Sequence, residues 1–255
     1  MCRIFSRIVS CLFYFCLIFL SLVAQAHADT TVGGELTTDT TWGLDGSPYN
    51  VTSSVSVATG VQLTIESGVE VRFNAGTSLN ISGTLSAAGT GSSQIIFTSS
   101  SSTPAAGNWV GIQFNDTASG TLSWCTVKYA NTGIYIYQSS PTLSHCTIEQ
   151  NNKGIRIFRT GSPQFSYCTI RNNIRGIEAE NRYGDKPHPR VNNCSLYSNS
   201  EYNYYLIRTG NDWNTTILDA RNNWWGTVDP DTIATTIYDY RDQSNLPPVD
   251  FSLFL

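Results

Sequence analysis

The stretch Leu122-Ser-Trp-Cys125-Thr-Val127, followed by Asn131-Thr-Gly133-Ile134, decides the fold because the chain repeats it. The same order of residue types returns in Leu143-Ser-His-Cys146-Thr-Ile148 and in Phe165-Ser-Tyr-Cys168-Thr-Ile170, each with Asn and Gly-Ile behind it. The three cysteines are 21 and 22 residues apart, and a fourth, Cys194, follows 26 residues later. A fixed period of this length is typical of a solenoid in which each repeat forms one coil.

Within each repeat the apolar residues are spaced by two. Gly133-Ile-Tyr-Ile-Tyr137 and Gly154-Ile-Arg-Ile-Phe158 both alternate, which predicts strands with the isoleucines on one face. The Asn and Gly clusters between these segments favour corners, since both residue types accept a positive φ. One short strand buries too little surface to be stable alone, so the repeats are expected to stack.

These repeats resemble the right-handed parallel β-helix proteins, which share the fold of pectin and pectate lyases. The resemblance implies an all-β solenoid with a repeat of about 21–22 residues, and the length of the chain after the predicted leader is enough for about nine or ten such coils. Each coil would hold three strands: the Gly-Ile-x-Ile segment, the Leu/Phe-Ser segment and the Thr-Val/Ile segment. The cysteines would occupy the tight corner between the second and the third. This fold carries many functions, so the resemblance leaves the activity open.

The predicted segments are a signal peptide at 1–28, an N-terminal lead-in or cap at 29–48, the β-helix at 49–226 and a C-terminal capping segment at 227–255. Arg3 and Arg7 precede an apolar run, and Ala26-His27-Ala28 fits a cleavage site, which predicts export to the periplasm or the cell exterior. The pair Trp224-Trp225 is expected to cover the last coil, and Asp229-Pro230 to begin a short helix. The tail from Leu246 is expected to pack back as a strand.

The formal net charge is −4, only 13% of residues are charged, and no segment after the leader is apolar enough to cross a membrane. An acidic, weakly charged surface argues against nucleic-acid binding. We therefore expect a monomer whose partner is a polysaccharide or a cell-surface glycan.

Four cysteines remain after the leader: Cys125, Cys146, Cys168 and Cys194. Neighbouring coils would bring their Cα atoms within disulfide range, and an exported protein meets an oxidant. Parallel side-chain directions oppose the disulfide torsion, and the Cys-x-x-Cys spacing of many metal sites is absent. Buried free thiols are the favoured interpretation, with one disulfide or a metal site as alternatives.

The first candidate site is the outward side of the Gly-Ile strands, where the lyase relatives bind sugar chains. Aromatic rings beside charged groups suit the apolar faces and hydroxyls of a sugar. The basic insertion at 181–190 leaves the same strand. The alternative is that stacked aromatic and oppositely charged neighbours only stabilise the sheet. The candidate ligand-binding residues are Tyr135, Tyr137, Arg156, Phe158, Glu178, Glu180, Arg182 and Lys186.

Catalysis on this face is the rival hypothesis. A lyase of this fold would use acidic Ca²⁺ ligands and a basic residue. Glu178 and Glu180, with Arg156, Arg182 or Lys186, are the residues available for those roles. The paired aspartates of the hydrolases are missing, because no Asp occurs between Asp116 and Asp185. No residue is assigned as catalytic, and a purely structural envelope component is a third interpretation.

Three further groups of residues are weighed as sites. Lys128, Glu149 and Arg171 recur in one column as an alternating charge ladder, which indicates a structural role. His145 shares a corner column with Trp124, Tyr167 and Asn193, away from the Gly-Ile strands. No cofactor is expected, although Ca²⁺ is weighed at the acidic C-terminal aspartates Asp229, Asp231, Asp239 and Asp242.

Overall fold

The computed structural model describes residues 29–182, 184–209, 213 and 216–255. The signal peptide predicted at 1–28 lies outside these described residues. Almost all of the regular structure is β-strand, with one 3-10 turn at Leu44–Gly46 and one helix, α1, at Pro230–Thr235. No helix of the described residues is both long enough and apolar enough to cross a bilayer.

The strands are short, and most hold three to seven residues. In chain order they are β1 (Thr30–Leu36), β2 (Thr40–Trp42), β3 (Tyr49–Val57), β4 (Gln62–Ile65), β5 (Glu70–Phe73), β6 (Ser78–Ile81), β7 (Thr84–Ala88), β8 (Ile95–Ser99), β9 (Gly111–Phe114), β10 (Ser119–Ser123), β11 (Cys125–Lys128), β12 (Thr132–Tyr137), β13 (Thr142–Ser144), β14 (Thr147–Glu149), β15 (Lys153–Phe158), β16 (Gln164–Ser166), β17 (Thr169–Arg171), β18 (Arg175–Asn181), β19 (Arg190–Asn192), β20 (Ser195–Tyr197), β21 (Tyr202–Arg208), β22 (Leu218–Asp219), β23 (Ile237–Tyr238) and β24 (Val249–Asp250).

From β4 to β21, every third strand pairs in parallel with its equivalent in the next coil, which makes a parallel β-helix. The Leu/Phe-Ser strands form a seven-stranded sheet in the order β19-β16-β13-β10-β7-β4-β2. The Thr-Val/Ile strands and the Gly-Ile strands belong to one 15-stranded sheet. These two stacks are joined at the N-terminal end because the long strand β3 pairs with β5 through its first half and with β6 through its second. The predicted fold and the three strands per coil are confirmed.

The solenoid has about seven turns, fewer than the nine or ten expected from the repeat length. The central coils keep the short period, but others are longer. Thr84 and Ser119 are hydrogen-bonded neighbours in the stack and are 35 residues apart in the chain. Extra residues in such coils leave the helix as loops, because the stacked strands admit only a few residues each.

Two columns of left-handed residues turn the chain. The corner before the cysteines has φ between 51° and 55° at Trp124, His145, Tyr167 and Asn193. The corner before the Gly-Ile strands has φ between 55° and 67° at Tyr129, Gln150, Asn172 and Ser198. The asparagines that follow hold this corner: Asn151 Nδ2 donates to Asn173 Oδ1 at 3.1 Å, and Asn173 Nδ2 donates to Asn199 Oδ1 at 3.0 Å. These amides satisfy backbone groups that a tight corner leaves unpaired.

The glycine of each Gly-Ile pair is required by the distance between coils. A Cβ atom on Gly154 would lie 2.6 Å from the carbonyl oxygen of Gly176, and one on Gly133 would lie 2.7 Å from that of Gly154. Any side chain there would push neighbouring coils apart. The close approach lets the adjacent strands pair in register and sets the columns of the outward face.

The core fills the inside of the coils with apolar side chains and the cysteine column. Cys125, Cys146, Cys168 and Cys194 are all free and buried. The sulfurs donate to backbone carbonyls, as in the contact of Cys146 Sγ with Ser144 O at 3.3 Å. The favoured interpretation of buried thiols therefore matches the structure.

The C-terminal segment closes the last coil. Asp229 caps α1 by accepting a hydrogen bond from the Thr232 backbone, and Ile233 of that helix is fully buried. Strand β23 pairs with β21, and β24 pairs with β22, so the tail packs back as predicted. Trp225 is 2% exposed, whereas Trp224 is half-buried and pairs with Ser195 through its backbone. Of the two tryptophans, only Trp225 is fully buried.

Candidate functional site on the outward Gly-Ile face

Two columns of side chains project outward from the Gly-Ile strands, as alternation predicts. Register aligns Tyr135 of β12 with Arg156 of β15, and continues to Glu178 of β18 and Tyr205 of β21. The second column holds Tyr137, Phe158, Glu180 and Ile207. The two columns together are called the outward face below.

The exposed part of the outward face is aromatic with one cation at its centre. Tyr135, Tyr137 and Phe158 are all half-buried. The rings of Tyr137 and Phe158 stack at 5.8 Å with 25° between their planes. The guanidinium carbon of Arg156 lies 6.0 Å from the Tyr135 ring and 5.7 Å from the Phe158 ring. This aromatic patch presents apolar ring surface around a guanidinium that ion pairs with Glu178 and Glu180 hold in place.

The two glutamates of the same columns are not accessible. Glu178 is 0% exposed and Glu180 is 6% exposed. Glu178 accepts hydrogen bonds from Lys153 Nζ and Arg175 Nη1, both at 2.8 Å, and lies 3.0 Å from Arg156 Nε. Arg156 Nη2 also donates to Glu180. A buried carboxylate keeps its charge only when cations and donors surround it, and this network supplies them.

Sequence reasoning missed two members of this network. Lys153 and Arg175 begin strands β15 and β18, and they reach the outward column from the corner. Their signal was a basic residue one position before two successive Gly-Ile pairs, Gly154-Ile155 and Gly176-Ile177. This signal was overlooked because strand alternation alone does not show that a side chain from the corner can extend over the outward side chains of the adjacent strand. Arg175 also covers the Tyr205 ring at 4.0 Å.

The insertion at 181–190 reaches the aromatic patch from one side. The guanidinium of Arg182 lies 5.7 Å from the Phe158 ring. Asp185 pairs with Arg159 at 2.6 Å, and Arg159 Nη1 donates to the Tyr137 hydroxyl at 2.9 Å. Lys186 acts elsewhere, since its positive charge contributes to lowering the pKa of His188. The structure therefore brings Arg182 to the patch, whereas the interaction seen for Lys186 is with His188.

A groove of about 210 Å³ adjoins Tyr135 on the side of the preceding coil, and we name it the Tyr135 groove. Polar side chains that the sequence did not single out as a site lie along it. Burial raises the pKa of Tyr135, an effect that the Arg156 charge opposes and that Glu180 reinforces. The phenol therefore stays protonated at neutral pH and remains a hydrogen-bond donor. The groove is lined by Val110, Gln113, Asn131, Thr132, Tyr135 and Arg156.

Comparison with known proteins agrees with this architecture. A family model for the right-handed beta helix region matches residues 85–223, more than half of the chain. The chain belongs to the right-handed β-helix family. A second model, a pectate-lyase like beta helix domain, matches residues 34–122. Comparisons with curated proteins and with solved structures gave no match.

Other candidates on this right-handed β-helix have structural partners. Arg171 Nε lies 3.0 Å from Glu149 Oε2, and Lys128 occupies the same column, as the charge ladder predicts. His145 stacks between Trp124 at 4.4 Å and Tyr167 at 5.0 Å. The charge ladder lies on the Thr-Val/Ile strands and the aromatic corner lies just before them, so neither belongs to the Gly-Ile strands.

Three of the four C-terminal aspartates that were weighed as Ca²⁺ ligands are engaged in other contacts. Asp229 caps α1, and Asp239 is fully buried and pairs with Arg241 at 2.9 Å. Asp242 accepts the backbone N–H of Asp239 at 3.1 Å. Within the described part of the chain, no three His, Cys, Asp or Glu side chains converge in a way that would hold a metal ion.

Proposed function

We propose that this right-handed β-helix is an exported module that binds a short segment of polysaccharide on its outward face. The observation that carries the proposal is the aromatic patch of Tyr135, Tyr137 and Phe158 around Arg156, beside the Tyr135 groove. Ring faces suit the C–H surfaces of a sugar, and the groove's amides and hydroxyls suit sugar hydroxyls. Three steps between coils span about 14 Å, so the face would hold a few sugar units.

Binding is favoured over cleavage because the acidic groups of the face are already neutralised. A Ca²⁺ ligand or a proton-transferring acid must be free to meet the substrate. Glu178 is surrounded by Lys153, Arg156 and Arg175, with no part of its side chain exposed. Freeing it would remove the carboxylate that the three cations share. A binding module needs no such rearrangement.

The test is a glycan screen of the purified protein that records binding and chain cleavage together, with and without Ca²⁺. For any glycan found, Tyr135→Ala and Phe158→Ala should each weaken binding about tenfold, equivalent to ~1.4 kcal/mol. Tyr167→Ala is the matched control, because Tyr167 is 59% exposed at a different corner. Arg156→Ala should weaken binding of acidic glycans more than neutral ones.

Three results would count against the proposal. Equal effects of Tyr135→Ala and Tyr167→Ala would remove the outward face as the site. If the wild-type protein cleaves a glycan, and Glu178→Gln abolishes that cleavage without changing glycan affinity, the lyase alternative would be established instead. If no glycan binds, the two columns of the outward face only stabilise the sheet. Export itself is tested by sequencing the N-terminus of the mature protein, which should begin at Asp29.

A further inference from the structure

A second groove lies on the other sheet, away from the outward face. Its volume is about 680 Å³, within the range of small-ligand sites. It crosses three successive coils: β16 and β19 supply the floor, and the segment around β22 supplies one wall. We name it the β19 groove. Six of the residues that line it carry the argument: Gln164, His188, Arg190, Ile217, Asp219 and Arg221.

The walls of the β19 groove are held in place by hydrogen bonds. The backbone of His188 donates to Gly161 O at 2.8 Å, and that of Arg190 donates to Pro163 O at 3.0 Å. Asp219 accepts from Arg221 Nε at 2.9 Å and from Asn192 Nδ2 at 3.1 Å. These contacts join the insertion and β22 to the β-helix, so the groove is preformed and a ligand need not order it.

The β19 groove carries one uncompensated positive charge. Among the residues that the structure describes, no acidic side chain pairs with the guanidinium of Arg190, which is exposed. The second cation, Arg221, is already bound to Asp219 through two nitrogens at 2.9 and 3.2 Å. Burial and the charge of Lys186 lower the pKa of His188, so its imidazole is neutral at neutral pH. Arg190 is therefore the anchor available to an anion.

The remaining lining suits a hydroxylated carbon framework. Ser162 and Gln164 offer hydroxyl and amide groups, and the neutral His188 ring offers one donor and one acceptor. Ile217 is 67% exposed and gives an apolar surface at the same groove. An anion alone would use only Arg190, whereas a ligand with hydroxyls and C–H surface would use every wall.

We infer that the β19 groove is a second binding site, which takes a small hydroxylated carboxylate through Arg190, with Gln164 and Ile217 contacting its carbon framework. This site is independent of the proposed glycan-binding face, because its floor belongs to the seven-stranded sheet and the outward face to the 15-stranded sheet. A ligand of one or two sugar rings fits its volume.

The test measures binding of three probes to the full mature protein by calorimetry and by NMR shift changes. The probes are glucuronate, glucose as its neutral counterpart, and inorganic phosphate as a charge without a carbon framework. Glucuronate should bind at least tenfold more tightly than either of the others. Arg190→Gln should lower glucuronate affinity at least tenfold, and Ile217→Ala about threefold. Arg72→Gln, in an early coil, is the matched control and should change nothing.

Other results would overturn the inference. Glucose binding as tightly as glucuronate would remove the role of charge, and phosphate binding as tightly would remove the role of the framework. Unchanged affinity in a folded Arg190→Gln variant would place the ligand elsewhere. The double variant Tyr135→Ala/Phe158→Ala separates the two sites, because it should abolish glycan binding on the outward face and leave glucuronate binding at the β19 groove intact.

Discussion

The carboxylate of Glu178 accepts a hydrogen bond from the ammonium of Lys153 at 2.8 Å, across neighbouring coils of the solenoid. Both residues belong to the Gly-Ile strands, and Glu178 is fully buried although its column faces outward. Arg156 and Arg175 also form ion pairs with the Glu178 carboxylate. The outward face is therefore divided into an accessible aromatic patch and an inaccessible ionic network.

The ionic network predicts a large loss of stability in Glu178→Gln. The change keeps the side-chain shape but leaves three cations without their shared carboxylate, which should cost about 3–5 kcal/mol of unfolding free energy. Urea unfolding measures it. Glu149→Gln is the control, since Glu149 pairs with a more exposed arginine and should lose about 0–1 kcal/mol. Equal losses in the two variants would show that the network contributes no more than a surface pair.

The buried cysteine column predicts that its thiols do not react with thiol reagents in the folded protein. All four side chains are free thiols and are at most 2% exposed, so a reagent in solution cannot reach their sulfurs. A thiol reagent should therefore label none of them until urea unfolds the mature chain, and then label all four. Two thiols resistant after unfolding would reveal a disulfide.

A charge introduced into the cysteine column should lower the stability of the protein. Cys146→Asp would place a carboxylate at a fully buried position in the corner, and it should lower the unfolding free energy by several kcal/mol. Cys146→Ala, which removes the sulfur without adding charge, is the control. Thermal or urea unfolding compares the two, and similar losses would mean that water reaches the column.

The C-terminal cap predicts different outcomes for two adjacent tryptophans. Trp225 is buried and meets the Phe251 ring edge-on at 6.4 Å, so Trp225→Ala should cost about 3–5 kcal/mol. Opening the end of the solenoid should also promote oligomers, visible by gel filtration. Trp224→Ala should cost less, because Trp224 is half-buried and pairs through its backbone. The reverse order of effects would place the cap elsewhere.

The ion pair of Asp219 predicts a contribution to stability that disappears in acid. Hydrogen bonds from Arg221 lower the pKa of Asp219 from 3.8 to about 2. Its contribution is full above pH 3.8 and is lost as the pH falls through about 2. The side chain is 32% exposed, so solvent screening limits the effect to about 1 kcal/mol. The stability difference between the wild type and Asp219→Asn should vanish across that window; a constant difference would contradict the shift.

The repeats made most of the fold predictable. The spacing of Cys125, Cys146 and Cys168 indicated stacked coils, and the alternation in Gly154-Ile-Arg-Ile-Phe158 indicated the strand and its outward residues. The number of turns was harder to predict, because loops such as the one between β8 and β9 lengthen a coil beyond the repeat period. A repeat count assumes equal coils, and only pairing between strands shows which residues belong to a coil.

The candidate site was predicted by position but not by accessibility. Alternation placed Tyr135 and Glu178 in one outward column, and the register confirms that placement. It could not show that Glu178 is buried while Tyr135 is half-exposed, since burial depends on long side chains from the corners. The β19 groove was not predicted either, because Gln164, Arg190 and Asp219 come from three coils that are far apart in sequence.

By itself, the sequence determined the parallel β-helix, the inward and outward faces and the glycine and cysteine columns, because these follow from local periodicity and from the small space between coils. Only the tertiary structure decided which outward groups are free. Stacking brings Lys153 and Arg156, which are 25 and 22 positions before Glu178, within a few ångströms of its carboxylate, and Arg175 reaches it from three positions away on the same strand. The ionic network then removes that carboxylate from solvent. Arg190 keeps its charge available because no acidic side chain among the described residues forms an ion pair with it, and Asp219 of the same groove is paired with Arg221.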